Sequence, residues 1–142
     1  MSVGQNINPV SSFSFEGKEQ PVLFVETMHV TEGVDCDVYT FGGDSSKDLG
    51  IIKVGPGSKT PLQKVLKGDR TIEGYISGKG KLTVTKADGK QEVYVVGGEL
   101  KEPVVVTVGI GETMQWEADE KSKLTAYEIC FPPYEDGRYE NL

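Results

Sequence analysis

From Phe13 onward the chain is a succession of short runs rich in valine, isoleucine, threonine and tyrosine, each closed by glycine or proline. No stretch shows the 3.6-residue period of an amphipathic helix, and β-branched residues at this density favour strands. Strands are expected at Val22 to Thr27, Val38 to Phe41, Gly50 to Val54, Leu62 to Val65 and Thr71 to Ser77, then at Lys81 to Thr85, Glu92 to Val96, Val104 to Val108, Thr113 to Glu117 and Leu124 to Cys130. Gly55-Pro56-Gly57, Gly78-Lys79-Gly80, Asp88-Gly89, Gly97-Gly98 and Gly109-Ile110-Gly111 supply the turns. Asp88-Gly89 between Leu82-Thr83-Val84 and Val93-Tyr94-Val95 is the plainest hairpin, because a two-residue turn needs residues that tolerate positive φ. Many short strands at regular spacing predict a closed barrel or a sandwich with little helix.

A chain of 142 residues suffices for one domain with a full core and is short for two. We therefore expect a lead-in over 1–12, a barrel over 13–134 and a tail over 135–142. With 37% hydrophobic and 26% charged residues, the composition is that of an ordinary globular domain rather than a disordered or membrane-spanning one. Residues 1–10 lack a basic start followed by an apolar run, so the expected location is the cytoplasm. Cys36 and Cys130 are expected as free thiols, since a domain with a complete core needs no staple. A net charge of −7 repels phosphate backbones and anionic lipid at long range, which argues against nucleic acid and membranes as partners.

One echo bears on topology. Val54-Gly55-Pro56-Gly57 runs by a short polar step into Leu62-Gln63, and Val108-Gly109-Ile110-Gly111 runs likewise into Met114-Gln115. Two such copies are what a jelly roll built from two Greek keys would show.

Pro56-Gly57-Ser58-Lys59-Thr60-Pro61-Leu62-Gln63, then Glu73 and Gly80 with six residues between them, resembles the first conserved segment of the cupin superfamily. Gly109-Ile110-Gly111 leading into Thr113-Met114-Gln115-Trp116 is similar to the second, and Ile129 to Tyr134 resembles the way many cupin chains leave the barrel. The resemblance covers roughly residues 50 to 134 and implies a single-domain, all-β, RmlC-like jelly-roll barrel, the double-stranded β-helix. Such proteins commonly hold a metal on histidines, and here those positions are changed. Measured from Gly57 they read Gln63 and Val65, and measured back from Glu73 they fall between Leu66 and Asp69. The third reads Met114, or Gln115 with a shift of one, and the family's asparagine position reads Ala118. The one histidine in the chain, His29, lies upstream of both segments and is read as an ordinary surface residue. No metal and no cofactor are therefore expected. Glu26, Glu73 and Glu128 stand on expected strands and could serve a hard cation, but nothing in their spacing shows convergence.

Alternation along a strand puts Tyr75 on the face of Glu73, with Ile72, Gly74 and Ile76 opposite, and Met114 on the face of Trp116. A barrel mouth lined by Gln63, Glu73, Tyr75, Met114 and Trp116 would combine apolar walls with a few directional polar groups. The plainer alternative leaves Met114 and Trp116 as core filling and Glu73 at the rim in water. An inward Glu73 would need Lys64, Arg70, a tyrosine hydroxyl or water as partner, and without one its pKa would rise. These residues lead to a metal-free, cupin-like binding protein for a carbohydrate or organic acid. A metal-independent isomerase or lyase using Glu73 and Tyr75, or a structural dimerisation barrel, are the alternatives. A homodimer is expected in each case, since exposed edge strands near the N-terminus could pair between subunits.

Overall fold

The computed structural model describes residues 10–66, 68–97, 104–134 and 138–142. Expectations that fall on 1–9, on Lys67, on Gly98 and on 135–137 lie outside the described residues. Twelve strands are described: β1 Ser12–Phe15, β2 Lys18–Thr31, β3 Val34–Phe41, β4 Asp44–Val54, β5 Gln63–Val65, β6 Arg70–Gly78, β7 Gly80–Thr85, β8 Gln91–Val96, β9 Val105–Val108, β10 Thr113–Ala118, β11 Leu124–Phe131 and β12 Tyr139–Asn141. Among the described residues no helix is long and apolar enough to cross a membrane.

The strands form two antiparallel sheets, β1-β2-β3-β4-β11-β6-β9 and β12-β5-β10-β7-β8. Their central orders, 4-11-6-9 facing 5-10-7-8, are those of a jelly roll. The two echoed glycine turns have equivalent places. Each carries the chain from the first sheet to the second, and the strands they lead into pair with each other, Met114 opposite Gln63.

The seven-stranded sheet carries a core on each face. Toward the second sheet, Val34, Ile52, Val54, Val106, Val108, Leu124 and Ala126 meet Val65, Leu82, Val84, Met114 and Trp116. The opposite face packs Tyr39, Leu49, Ile51, Ile72, Tyr127 and Ile129 under Phe15 and Val22. The rings of Phe13 and Tyr127 meet edge-on at 4.9 Å. Phe13 is on the first strand of the sheet order and Tyr127 on the fifth, so the β1–β2 hairpin curls back across the outer face. Burying one Leu or Ile side chain completely is worth about 1.5–3 kcal/mol, and both cores contain several.

Two strands were not expected, and each omission has a cause. The β1–β2 turn, Glu16-Gly17, has positive φ at both residues, 54° and 75°. Glutamate there gives no turn signature, and Lys18-Glu19-Gln20-Pro21 does not read as a strand. β12 pairs with β5, Tyr139 opposite Val65. Arg138, 1% exposed, anchors it by donating from Nη1 to the Pro132 carbonyl at 2.9 Å and from Nη2 to the Arg70 carbonyl at 2.6 Å. A single cation clasped by carbonyls thus holds the last described segment to the barrel.

Candidate functional site

Strand register gathers the polar groups of the interior. Glu26, Val38, Gly50, Glu128, Glu73 and Val106 form one row across β2, β3, β4, β11, β6 and β9. Glu73 and Glu128 are direct cross-strand neighbours. Glu26 stands three strands from Glu128, about 14 Å at the usual strand spacing, and takes no part.

Two carboxylates directly opposite each other repel, so such a pair persists only if something else compensates. Glu73 is fully buried, which corrects the expectation of a rim position in water. Its partner is none of those expected. Oε1 accepts the indole N–H of Trp116 at 2.7 Å, while Oε2 has no donor. A proton on that orphaned oxygen would remove the repulsion between the two carboxylates. Burial, and then the charge of Glu128, push the Glu73 carboxyl well above the usual carboxylate range, against the smaller opposing effect of the indole. Glu128 Oε1 accepts the hydroxyl of Tyr139 at 2.6 Å, and the thiol of Cys130 lies 3.4 Å from the same oxygen. The Tyr139 hydroxyl oxygen is also 3.1 Å from Thr71 Oγ1 and 3.2 Å from Cys130 Sγ. The result is a connected acid pair, one member sealed in the core and the other held by a tyrosine.

The approach to the pair lies on the Glu128 side. Glu73 and Cys130 are buried, whereas Glu128 and Cys36 are half-buried. Gly50 leaves the row without a side chain beside Glu128, and a Cβ there would stand 2.9 Å from Cys36 Sγ, so the thiol leans over the gap. Burial, followed by the charge of Glu128, pushes both thiols up, which keeps them protonated and poor nucleophiles. They are free, as expected from the sequence.

The five expected lining residues are only partly brought together. Met114 and Trp116 are buried in the inter-sheet core, and Trp116 alone of the four others touches Glu73. Tyr75 packs against that core but its hydroxyl turns away, donating to the Gly78 carbonyl at 2.8 Å. Gln63 begins β5, with its amide donating to Asn141 at 3.0 Å. Tyr139, Cys36 and Thr71 were missed, and Glu128 was noted without a partner. Its signal was present in the alternation Leu124, Ala126, Glu128, Cys130, which places Glu128 among core residues. His29 is at the surface with Nδ1 3.0 Å from Asp35 Oδ1. A cavity of about 280 Å³ bounded by Lys79, Lys81, Val95, Glu117 and Asp119 holds none of these groups.

A metal of the kind the resemblance implies does not fit these residues. At the expected ligand positions stand an amide bonded to Asn141, a valine, a thioether and a carboxyl engaged by an indole. Among the described residues no three His, Cys, Asp or Glu side chains are placed to hold a metal ion.

The pair makes a pH-dependent prediction. A carboxyl whose pKa is raised on folding stabilises the fold fully below its unfolded value of about 4.5, and that stability is lost as pH climbs through the folded value. Glu73→Gln preserves an acceptor for Trp116 and a donor for Glu128 without titrating. Its melting midpoint should match the wild type near pH 4 and exceed it increasingly at higher pH, each kcal/mol appearing as roughly 3–5 °C. Melting curves that stay parallel across the pH range would count against a protonated Glu73.

No protein-family model and no curated protein sequence matches the chain. Solved structures do. A cupin-2 domain protein from Rhodospirillum rubrum superposes with a TM-score of 0.61 at 17% identity, covering 96% of this chain and 84% of that one. Oxalate decarboxylase from Bacillus subtilis gives 0.66 at 20% identity over 83% of this chain, which spans only 30% of the decarboxylase. A variant of Streptomyces PAC13 with uridine gives 0.58 at 14% identity, covering 82% and 83%.

Proposed function

Starting from a chain that has the cupin fold, we propose that it is a small-molecule-binding protein that works without a metal. Its ligand is a neutral, hydroxyl-bearing molecule of carbohydrate or nucleoside type, held in the barrel mouth at Glu128. The observation that carries this reading is the acid pair. Glu73 lies buried directly across from the half-buried Glu128, which presents its acceptor oxygens while the apolar core behind the pair excludes water. Hydroxyl groups match such a surface. An organic acid, the other expected class, would bring a second anion to Glu128 in a chain of net charge −7. The uridine held by the PAC13 variant, whose length is comparable, supports a neutral hydroxylated ligand.

A thermal-shift series at neutral pH with polyols, aldoses, nucleosides and dicarboxylates tests the proposal. At least one neutral compound should raise the melting point in proportion to the logarithm of its concentration. Glu128→Gln should weaken that compound tenfold or more, about 1.4 kcal/mol. Stabilisation by dicarboxylates or by a transition metal alone would overturn it.

A second reading rests on the same geometry. With Glu73 sealed behind it, Glu128 is the one carboxyl of the pair that a substrate reaches, and a proton relayed between the two would equip a metal-independent isomerase or lyase. In that case the assisting hydroxyl is Tyr139, which touches Glu128, rather than Tyr75.

A further inference from the structure

The row of residues next to the acid pair is polar as well. Thr40, Asp48, Cys130 and Thr71 are successive cross-strand partners on β3, β4, β11 and β6. Each stands two residues along its strand from a member of the row Val38, Gly50, Glu128 and Glu73, so both rows share one face. Cys130 and Thr71 are buried, Asp48 is half-buried and Thr40 is exposed, so the second row opens to water at its β3 end. Asp48 and Glu128 are diagonal neighbours across β4 and β11, about 7–8 Å apart at the backbone. The peptide N–H of Tyr134 donates to Asp48 Oδ2 at 2.9 Å and fixes that carboxyl. Donors are otherwise scarce. Among the described residues no lysine or arginine is ion-paired with Asp48, Glu73 or Glu128. Glu73 Oε2, wholly buried beside Glu128, has no donor at all. Burial first, and the charge of Glu128 as well, push the Asp48 carboxyl up.

We propose that Asp48 is a second binding residue of this mouth, so that the ligand is gripped by two carboxylates at once and carries hydroxyls on neighbouring carbons, one for each. The inference rests on the reading of Glu128 given above and narrows it. A lone hydroxyl serves one carboxyl and leaves the other without a donor, which costs free energy in a half-buried place. Two neighbouring hydroxyls pointing outward, each with a hydrogen bond of about 2.7–2.8 Å, span the diagonal between the strands. The carbon face of the same ligand then lies toward Val38 and Cys36, on the apolar side of Glu128. A cation is the rival guest. The buried guanidinium of Arg138 already acts as a positive charge on Asp48 and Cys130, which weakens the attraction for a second one.

Thermal-shift titrations of the full chain with D-ribose, D-glucose and inosine, each beside its 2-deoxy analogue, test the assignment. At least one parent compound should bind, and its 2-deoxy analogue should bind about tenfold more weakly. Asp48→Asn still accepts the Tyr134 N–H, yet it should weaken the parent about tenfold and hold parent and analogue alike, since the second hydroxyl has lost its partner. Should that variant fail to fold, the carboxyl carbon-13 signals of the wild type decide: Asp48 and Glu128 should both move on titration with the parent. An Asp48→Asn protein that keeps the tenfold preference, or an Asp48 signal that stays still while that of Glu128 moves, would sink the inference and leave the reading of Glu128 standing. No binding by any parent compound would remove both. Putrescine binding more tightly than every parent would replace the paired hydroxyls with a cation.

Discussion

Trp116→Ala should bring the chain close to its folding threshold, lowering the melting midpoint by roughly 15–25 °C. Trp116 is the largest fully buried side chain described, and truncating a buried tryptophan costs about 3–5 kcal/mol. Its indole is also the sole described donor to Glu73, and a buried carboxyl left without one adds about 1–3 kcal/mol. Together these approach the whole stability of a typical domain, about 5–15 kcal/mol. Trp116→Phe narrows the comparison, since it keeps a six-membered aromatic ring and removes the N–H together with the five-membered ring that carries it. It should cost less than Trp116→Ala but more than the about 1–3 kcal/mol of the lost hydrogen bond alone. Because the indole bond opposes part of the rise in the Glu73 pKa, its loss should extend the fall of stability to higher pH than in the wild type. The backbone N–H of Trp116 still donates to Thr60 Oγ1 at 3.0 Å, so the strand itself should survive the change. A Trp116→Phe protein with wild-type stability at every pH would show that the indole bond is inconsequential.

Gly74→Ala should be damaging although it lies in the middle of a strand, β6. Alanine would ordinarily help a strand, since glycine loses more entropy on ordering, by about 0.5–1 kcal/mol. Here the added Cβ would run into the ring and hydroxyl of Tyr127, which lies flat over Gly74 from the opposing β11 position. Tyr127 cannot retreat easily, being 8% exposed and pinned by Phe13. Overpacking of this kind costs about 1–3 kcal/mol, enough to reverse the entropic gain. The expected net loss is about 1 kcal/mol, read from denaturant midpoints. Gly74→Ala combined with Tyr127→Leu should lose much less than the two single changes added together, because the shorter side chain vacates the contested space. Strict additivity would place the strain somewhere other than this contact.

The sequence disclosed the barrel because its evidence was local. Glycine and proline mark the turns, β-branched runs mark the strands, and the repeated glycine turn marks the two crossovers that bring β5 and β10 side by side. The candidate site was less legible because it is a product of register. Glu73 is 55 residues from Glu128 and 43 from Trp116, and no property of the intervening sequence states which residues of β6, β10 and β11 will face one another. Tyr139 was hidden differently. It lies in a segment whose proline and glycine content reads as a tail, and its place in the interior depends on Arg138 reaching four oxygen acceptors across the barrel wall. Glu16 shows the limit of turn rules, since a glutamate in the left-handed region announces nothing.

The double-sided core of the seven-stranded sheet has a mechanical consequence. With Ile72, Tyr127 and Ile129 wedged beneath the hairpin behind it, the floor under Glu73 and Glu128 has no slack to bow outward when a guest arrives. For the ligand proposed above, a floor of that build would gain affinity from being stiff beforehand and discriminate by outline, refusing bulkier relatives that a softer wall would accommodate.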